Sequence, residues 1–276
     1  MPRYYAKKPT QTETREELHT TTNTYLLTRR SSDWSEMIYI GGITTYCIEC
    51  QILHDNPIAN LSKIEYDETC SLSGTFQRGS DTVGILELLL SYIHNTFKHV
   101  RQVQFDDYSY RECDDRRRID LASFSYVLYE KTWYMNTMGA KFANEEDTKK
   151  YLNANTAFQK KKAITKWEEY DRFVTTAHPL PEEDMKKLFE EHRTWKTFFN
   201  ALKSRLNITD LCVYMEPWIT QFVKEIARLK FSTMRFVMDV PNPALRTIPY
   251  TSKPYVKNGG RYTVKQRKCG KAVDLR

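Results

Sequence analysis

The residues best suited by type to do chemistry are Gln77-Arg78-Gly79-Ser80-Asp81-Thr82-Val83-Gly84, where a strand-like run passes into a strongly apolar helix. The first turn of a helix leaves N–H groups unpaired and carries a partial positive charge, so a turn with Arg78 and Gly79 suits a pyrophosphate. Gln77, Arg78, Gly79, Asp81 and Thr82 are the candidate cofactor-binding residues of this turn. Asp81 opposes that reading. Its carboxylate is expected to be the helix N-cap, accepting from those same N–H groups and repelling an arriving phosphate.

Other reactive residue types form thinner patterns. Cys47-Ile48-Glu49-Cys50 has CxxC spacing, but it falls in a strand-like run from Ile43 to Leu53, where residues three apart face opposite ways, a poor zinc clamp. The six cysteines (Cys47, Cys50, Cys70, Cys113, Cys212, Cys269) are too sparse for a disulfide scaffold, and buried free thiols are expected. His19, His54, His94, His99, His178 and His192 share no spacing with Cys or acids that suggests a metal or a triad, so a structural role is expected for them.

These residues need elements to position them. Two β-type runs, Met37 to Leu53 (broken at Gly41-Gly42) and Lys63 to Leu72, precede the loop. From Asp81, Val83, Leu86, Leu89, Leu90, Ile93 and Phe97 recur with period 3.6, an apolar stripe that predicts a helix lying across a sheet. Val103 and Phe105 then alternate as a strand. The order strand, glycine turn, helix, strand predicts a crossover between parallel strands, with the turn at the carboxyl edge of the sheet. A second helix is expected from about Ile119 to Tyr129. Beyond Asn144 the pattern is helical, with three helices suggested around Phe158–Phe173, Met185–Leu202 and Trp218–Leu229, one starting at Pro181, before a returning strand over Phe231–Val240. The resulting organisation is a polar N-terminal arm (1–34), an α/β core (35–143), a helical extension (144–240) and a basic, Pro-containing C-terminal arm (241–276).

A chain of 276 residues that is 40% hydrophobic can bury a sizeable core, and its 18 Tyr, 13 Phe and 5 Trp suit both a packed interior and protein-contacting surfaces. No run of about 18 apolar residues is present, so no membrane span is expected. The start, Met1-Pro2-Arg3-Tyr4-Tyr5-Ala6-Lys7-Lys8, lacks the apolar stretch of a secretory signal, and an intracellular protein is expected. The net charge is +7; from Arg246 onward nine basic residues face one acid, +8, which leaves 7 − 8 = −1 for the rest. A nearly neutral body with a cationic tail argues for an acidic partner met by the tail. Arg261, Lys265, Arg267, Lys268 and Lys271, interleaved with Tyr255 and Tyr262, are the candidate partner-binding residues, suited to nucleic acid or to a groove in a protein shell.

The segment from about Lys63 to Phe142 resembles the GNAT superfamily of acyl-CoA-dependent N-acetyltransferases. Gln77-Arg78-Gly79-Ser80-Asp81-Thr82 falls where that family has a Gln/Arg-x-x-Gly-x-Gly/Ala turn, and Tyr129-Glu130-Lys131 and Gly139-Ala140-Lys141-Phe142 fall at its later landmarks. With Lys131-Thr132-Trp133-Tyr134 and the Thr194–Leu202 stretch, roughly residues 35 to 230 are similar to GNAT-like proteins of nucleocytoplasmic large DNA viruses. The resemblance implies an α/β fold with a GNAT-like mixed sheet flanked by helices, acetyl-CoA at the turn, and Tyr129 as the acid that protonates the departing thiolate. As a plain residue, Tyr129 reads equally as a half-buried aromatic on a core-facing helix. Glu65, Asp67 or Glu68 would be the general base. Aligning Gly79 with the family's first glycine puts Asp81 at the second, which should cost several kcal/mol of cofactor affinity. The expectation is therefore a non-catalytic GNAT-like structural or interaction protein of a large DNA virus, a minor capsid or other virion component, found in the virion or host cytoplasm, meeting other virion or capsid proteins and needing no cofactor. The alternatives are an acetyl-CoA-dependent N-acetyltransferase acting on an amine, and a nucleic-acid-associated protein binding through residues 246–276.

Overall fold

The Thr-rich start is built into the sheet. In the computed structural model, which describes residues 11–73, 76–77, 79–114 and 116–256, β1 (Thr12–His19) and β2 (Thr24–Ser31) pair as an antiparallel hairpin. The Thr20 hydroxyl and N–H both donate to the Asn23 carbonyl at 2.9 Å to close the turn. Over residues 11–34 this corrects the expected polar arm; residues 1–10 of that arm lie outside the described residues. Only Leu18 of β1 is fully buried, so the strand has no alternation to read, while Tyr25, Leu26 and Leu27 of β2 enter the core. Threonine fits a pleated, half-buried surface well, and β1 is held by neighbours on both sides rather than by its own pattern.

Next come β3 (Ser35–Gly41), β4 (Tyr46–Leu53) and β5 (Ile58–Ile64), each antiparallel to the last. The expected second β-run thus ends at Ile64 and begins earlier, at Ile58. Helix α1 (Ser80–Thr96) then crosses the sheet, burying Leu86, Leu89 and Ile93 as the stripe predicts. It delivers the chain to β6 (Gln102–Asp106), which runs parallel to β5. A two-stranded ribbon, β7 (Tyr110–Glu112) and β8 (Arg118–Asp120), leads into α2 (Leu121–Tyr129), α3 (Trp133–Met138) and the short β9 (Lys141–Phe142).

A helical unit follows: α4 (Glu145–Lys162), α5 (Trp167–Asp171), α6 (Glu182–Glu191), α7 (Trp195–Arg205), α8 (Ile208–Met215) and α9 (Ile219–Phe222), the last continued by a π-helical turn, Val223–Ala227. The first two of the three suggested helices are each two: the chain turns at Ala163–Thr165 between α4 and α5, and it leaves helical geometry at His192 before Thr194 caps α7. Glu182 does start a helix behind Pro181. Tyr170 lies at the centre of this unit, fully buried among Trp195, Phe198, Trp218 and Phe222. The chain then returns as β10 (Arg235–Asp239), and β11 (Thr251–Pro254) closes the described chain.

Nine of the eleven described strands, all but β7 and β8, form one mixed, mostly antiparallel sheet in the order β11-β1-β2-β3-β4-β5-β6-β10-β9. The helical unit is thus an insertion between β9 and β10, which are hydrogen-bonded neighbours. Residues 241–256 are not a free arm. Arg246 N–H donates to Glu87 and Ile248 N–H to Ser91, both on α1, before β11 pairs with β1.

The expected free thiols also need correction. Cys47 is bonded to Cys70 and Cys113 to Cys212, with Cα–Cα separations of 5.8 and 5.3 Å, which leaves Cys50 a buried thiol whose pKa burial pushes up to about 12. Partners 23 and 99 residues apart in sequence are brought together by tertiary structure that local spacing does not encode. Cys269 lies outside the described residues.

Candidate functional site

Strands β5 and β6 pair only over Ile58–Asn60 and Gln102–Gln104. Beyond that register β5 stays with β4 as far as Ile64, while β6 stays with β10 to Asp106, so the two parallel strands separate at their carboxyl ends. Such a divergence cannot be filled by ladder hydrogen bonds and leaves a crevice where open α/β sheets hold ligands. Here it is a cleft of about 650 Å³. Its lining includes the ends of both strands, and Gly79 and Thr82 from the start of α1, so the glycine turn stands at the carboxyl edge of the sheet as predicted.

The cleft is aromatic. Phe105 and Tyr134 pack edge to face at 4.7 Å within it, beside Trp133. Tyr66, Tyr108 and Tyr110 also line it and are exposed, Tyr108 to 70%. Its charges are mixed: Glu65, Asp106 and Glu112 against Lys63 and Arg111. Lys63 is paired with Glu65 at 2.8 Å, and Asp106 with Arg235 at 3.2 Å. Among the described residues that balance suits a polar or zwitterionic surface better than a diphosphate, which needs a net excess of donors and cations.

Of the loop residues, Gly79 and Thr82 reach the cleft, whereas Gln77 and Asp81 are tied to each other. The Gln77 N–H donates to the Asp81 carboxylate at 2.6 Å, and the Asp81 N–H returns to the Gln77 carbonyl at 3.2 Å. Asp81 is therefore not the N-cap. That position is held by Gly79, with φ +92°, and among the described residues no side chain caps α1. Asp81 instead sits in the first turn, where its charge suits the helix dipole, and neutralises an upstream loop amide. Its charge also reaches Tyr25, whose pKa is raised to about 12, chiefly by burial and partly by Asp81. Arg78 lies outside the described residues.

Tyr129 stands apart from this cluster. It ends α2, whose first residue, Leu121, lines the cleft; eight residues of helix separate them by about 12 Å. Its hydroxyl accepts from Lys203 Nζ at 2.7 Å, and the same ammonium lies 5.0 Å from the ring centre. Among the candidate bases, Glu65 lines the cleft. Asp67 turns away to accept from the Thr69 hydroxyl and N–H, which lower its pKa.

A group the sequence reading missed is Asp107, at the end of β6 between the cleft-lining Asp106 and Tyr108. It is 1% exposed, and burial raises its pKa to about 6 against the pull of its Ser109 hydrogen bonds. One carboxylate oxygen accepts from Ser109; the other is buried with no partner. A raised carboxyl beside a cleft fits acid–base chemistry in type, yet this oxygen has no open surface through which a ligand would meet it. The Asp-x-Ser spacing of its turn was the available signal.

Among the described residues no cluster of His, Cys, Asp or Glu is arranged to hold a metal ion, and no helix is long and apolar enough to cross a membrane. Arg261, Lys265, Arg267, Lys268 and Lys271 lie outside the described residues. No family model, curated protein or solved structure matches the chain.

Proposed function

We propose that this chain is a non-catalytic GNAT-like protein that serves a large DNA virus as a structural or interaction component, a minor capsid or other virion protein. The observation that carries the reading is the dispersal of the groups acyl transfer would need. The Gln77 loop amide is already held by Asp81, and the Tyr129 hydroxyl is held by Lys203 at the far end of α2. Among the described residues the cleft keeps a binding shape with acids and cations in balance, not the donor excess that acetyl-CoA requires. Disulfides persist at the surface of extracellular particles and are rare in a reducing cytosol, so the two cystines are in keeping with residence in a virion. Aromatic side chains at an open rim, Tyr66, Tyr108 and Tyr110, are of the kind that anchor protein contacts. The viral assignment rests on the sequence resemblance over roughly residues 35 to 230. A protein inventory of purified virus particles tests the reading: many copies per particle are expected, and absence from particles would overturn it.

One observation favours a second reading. A cleft of about 650 Å³ at diverging parallel strands, with Gly79 and Thr82 on its wall, is also where an N-acetyltransferase would hold acetyl-CoA. In that reading the amine acceptor enters beside Glu65, and Asp81 must swing away from Gln77 before the coenzyme seats.

A further inference from the structure

Helix α4 carries a charge pattern that the nearly neutral body conceals. From Thr148 to Lys166 the chain holds six lysines and no acidic residue. Lys162 is buried, whereas Lys149, Lys150, Lys160, Lys161 and Lys166 are exposed. Lys149 is paired with Glu145 at 2.8 Å; among the described residues the other four exposed lysines stand without a carboxylate partner. Lys160 follows Lys149, and Lys161 follows Lys150, by three helical turns, so the two pairs share one face and lie about 16 Å apart along the axis. Tyr151, Phe158 and Lys162 occupy the opposite, buried side. Between the pairs the outer face presents Asn153, Thr156 and Ala157, all exposed and small enough to let a partner approach the helix closely.

Helix stability alone does not account for this arrangement. Lys160 and Lys161 sit in the last turn, where cations suit the dipole, but Lys150 does not. Nor does Lys150 take the pair open to it with Glu146, as Lys149 does with Glu145. An unpaired cationic face attracts an anionic partner. A membrane-surface helix would need a continuous apolar face beside the lysines, and the large exposed apolar residues here are only Leu152 and, past the helix end, Ile164. Single-stranded nucleic acid would need aromatic platforms, and both aromatic residues of α4 are buried. Phosphate rows of a duplex need neither.

We propose that the outer face of α4 is a docking surface for the phosphate backbones of duplex DNA. Each lysine pair meets one of the two backbones that border a groove; a major groove about 12 Å wide, with its flanking phosphates, is spanned by pairs about 16 Å apart on long, adjustable stems. Ammonium groups are point charges without the fork of a guanidinium, so the contact is to phosphates and carries no base sequence. The inference goes beyond the virion role proposed above and rests on α4 alone, separate from the basic residues that follow Arg246.

The full chain is titrated by fluorescence anisotropy against a duplex of about 20 base pairs, between about 50 and 200 mM salt. In the triple variant Lys150→Gln/Lys160→Gln/Lys161→Gln the slope of log affinity against log salt should flatten by about 0.9 per lysine, about 2.7 together, and Kd at the lowest salt should rise about tenfold or more. The control variant Lys186→Gln/Lys187→Gln changes two exposed lysines of α6, set among Glu182, Glu183, Asp184, Glu190 and Glu191, and should leave the slope as it was. Acetylation of the native chain, mapped by peptide mass spectrometry with and without the duplex, should show Lys150, Lys160 and Lys161 protected and Lys186 and Lys187 not. That mapping decides the matter if the triple variant fails to fold. A slope unchanged in the triple variant, an equal loss per lysine in the α6 control, or absence of protection on α4 would overturn the inference. So would binding to phosphatidylserine vesicles or to polyglutamate that needs these lysines when duplex binding does not.

Discussion

Replacing Asp107 with Asn should make the protein more stable at neutral pH and remove a contribution to stability that grows as the pH falls. The carboxyl titrates at about 6 in the folded chain against 3.8 when free, mainly because it is buried, with Asp120 adding to the rise and Ser109 opposing it. Holding it ionised at pH 7.5 therefore costs about 3 kcal/mol of folding free energy. Asn keeps the oxygen that accepts from the Ser109 N–H and hydroxyl, at 3.0 and 2.5 Å, and replaces the unpartnered oxygen with an amide. That buried NH₂ lacks a partner in turn, a penalty of about 1–2 kcal/mol, so the net gain at pH 7.5 should be about 1–2 kcal/mol. The sign with pH follows from a raised carboxyl. Its protonated form is favoured by folding, so the native chain gains stability as pH falls from about 6 to 3.8, and the advantage of the variant shrinks and then reverses. Urea unfolding of both proteins at pH 7.5, 6, 5 and 4 measures this. A difference that stays constant across the series would refute the raised carboxyl.

Lys162 is 3% exposed, with its Nζ donating to the Phe189 carbonyl at 2.8 Å and 3.3 Å from the Phe189 ring centre; burial pulls its pKa down to about 8. Lys162→Met should raise stability at pH 7 by about 1–2 kcal/mol, the ring attraction offsetting part of the burial cost, and should remove the gain the native chain shows between about pH 8 and 10.5 in thermal melts. Glu36 is buried on β3 and takes both arms of Arg29 at 2.7 and 2.9 Å; burial alone would raise its pKa, but Arg29 and Ser31 reverse that and lower it. Glu36→Ala should cost about 2 kcal/mol, discounted for the partial exposure of Arg29, and the loss should fade as pH falls below 4.5 through the lowered value. Gly79→Ala meets no atom within 4 Å, so its cost of about 1 kcal/mol by denaturant titration should come from the φ of +92° alone.

Local periodicity was legible where one face meets the core. The α1 stripe, the Val103 and Phe105 alternation, the Pro181 start and the parallel crossover each rest on a repeat that short windows preserve. What was hidden depends on partners distant in sequence. Strand β1 buries only Leu18 fully and owes its place to β2 and β11, so its composition resembles a polar arm. The cystine partners are set by how α8 approaches the ribbon. Asp81 illustrates the limit at the site: its residue type predicted an anion-excluding carboxylate, but its partner is Gln77 upstream instead of the helix it heads. Tyr129 matched a sequence landmark, while the direction of α2 carries it away from the cleft.

Calorimetric titration of acetyl-CoA into the full chain, beside the Asp81→Gly variant, bears most directly on the proposed non-catalytic role. No saturable heat is predicted for the native protein, with at most weak binding when Gly frees the Gln77 amide. Tight one-to-one binding by the native chain, unchanged by Asp81→Gly, would contradict the account.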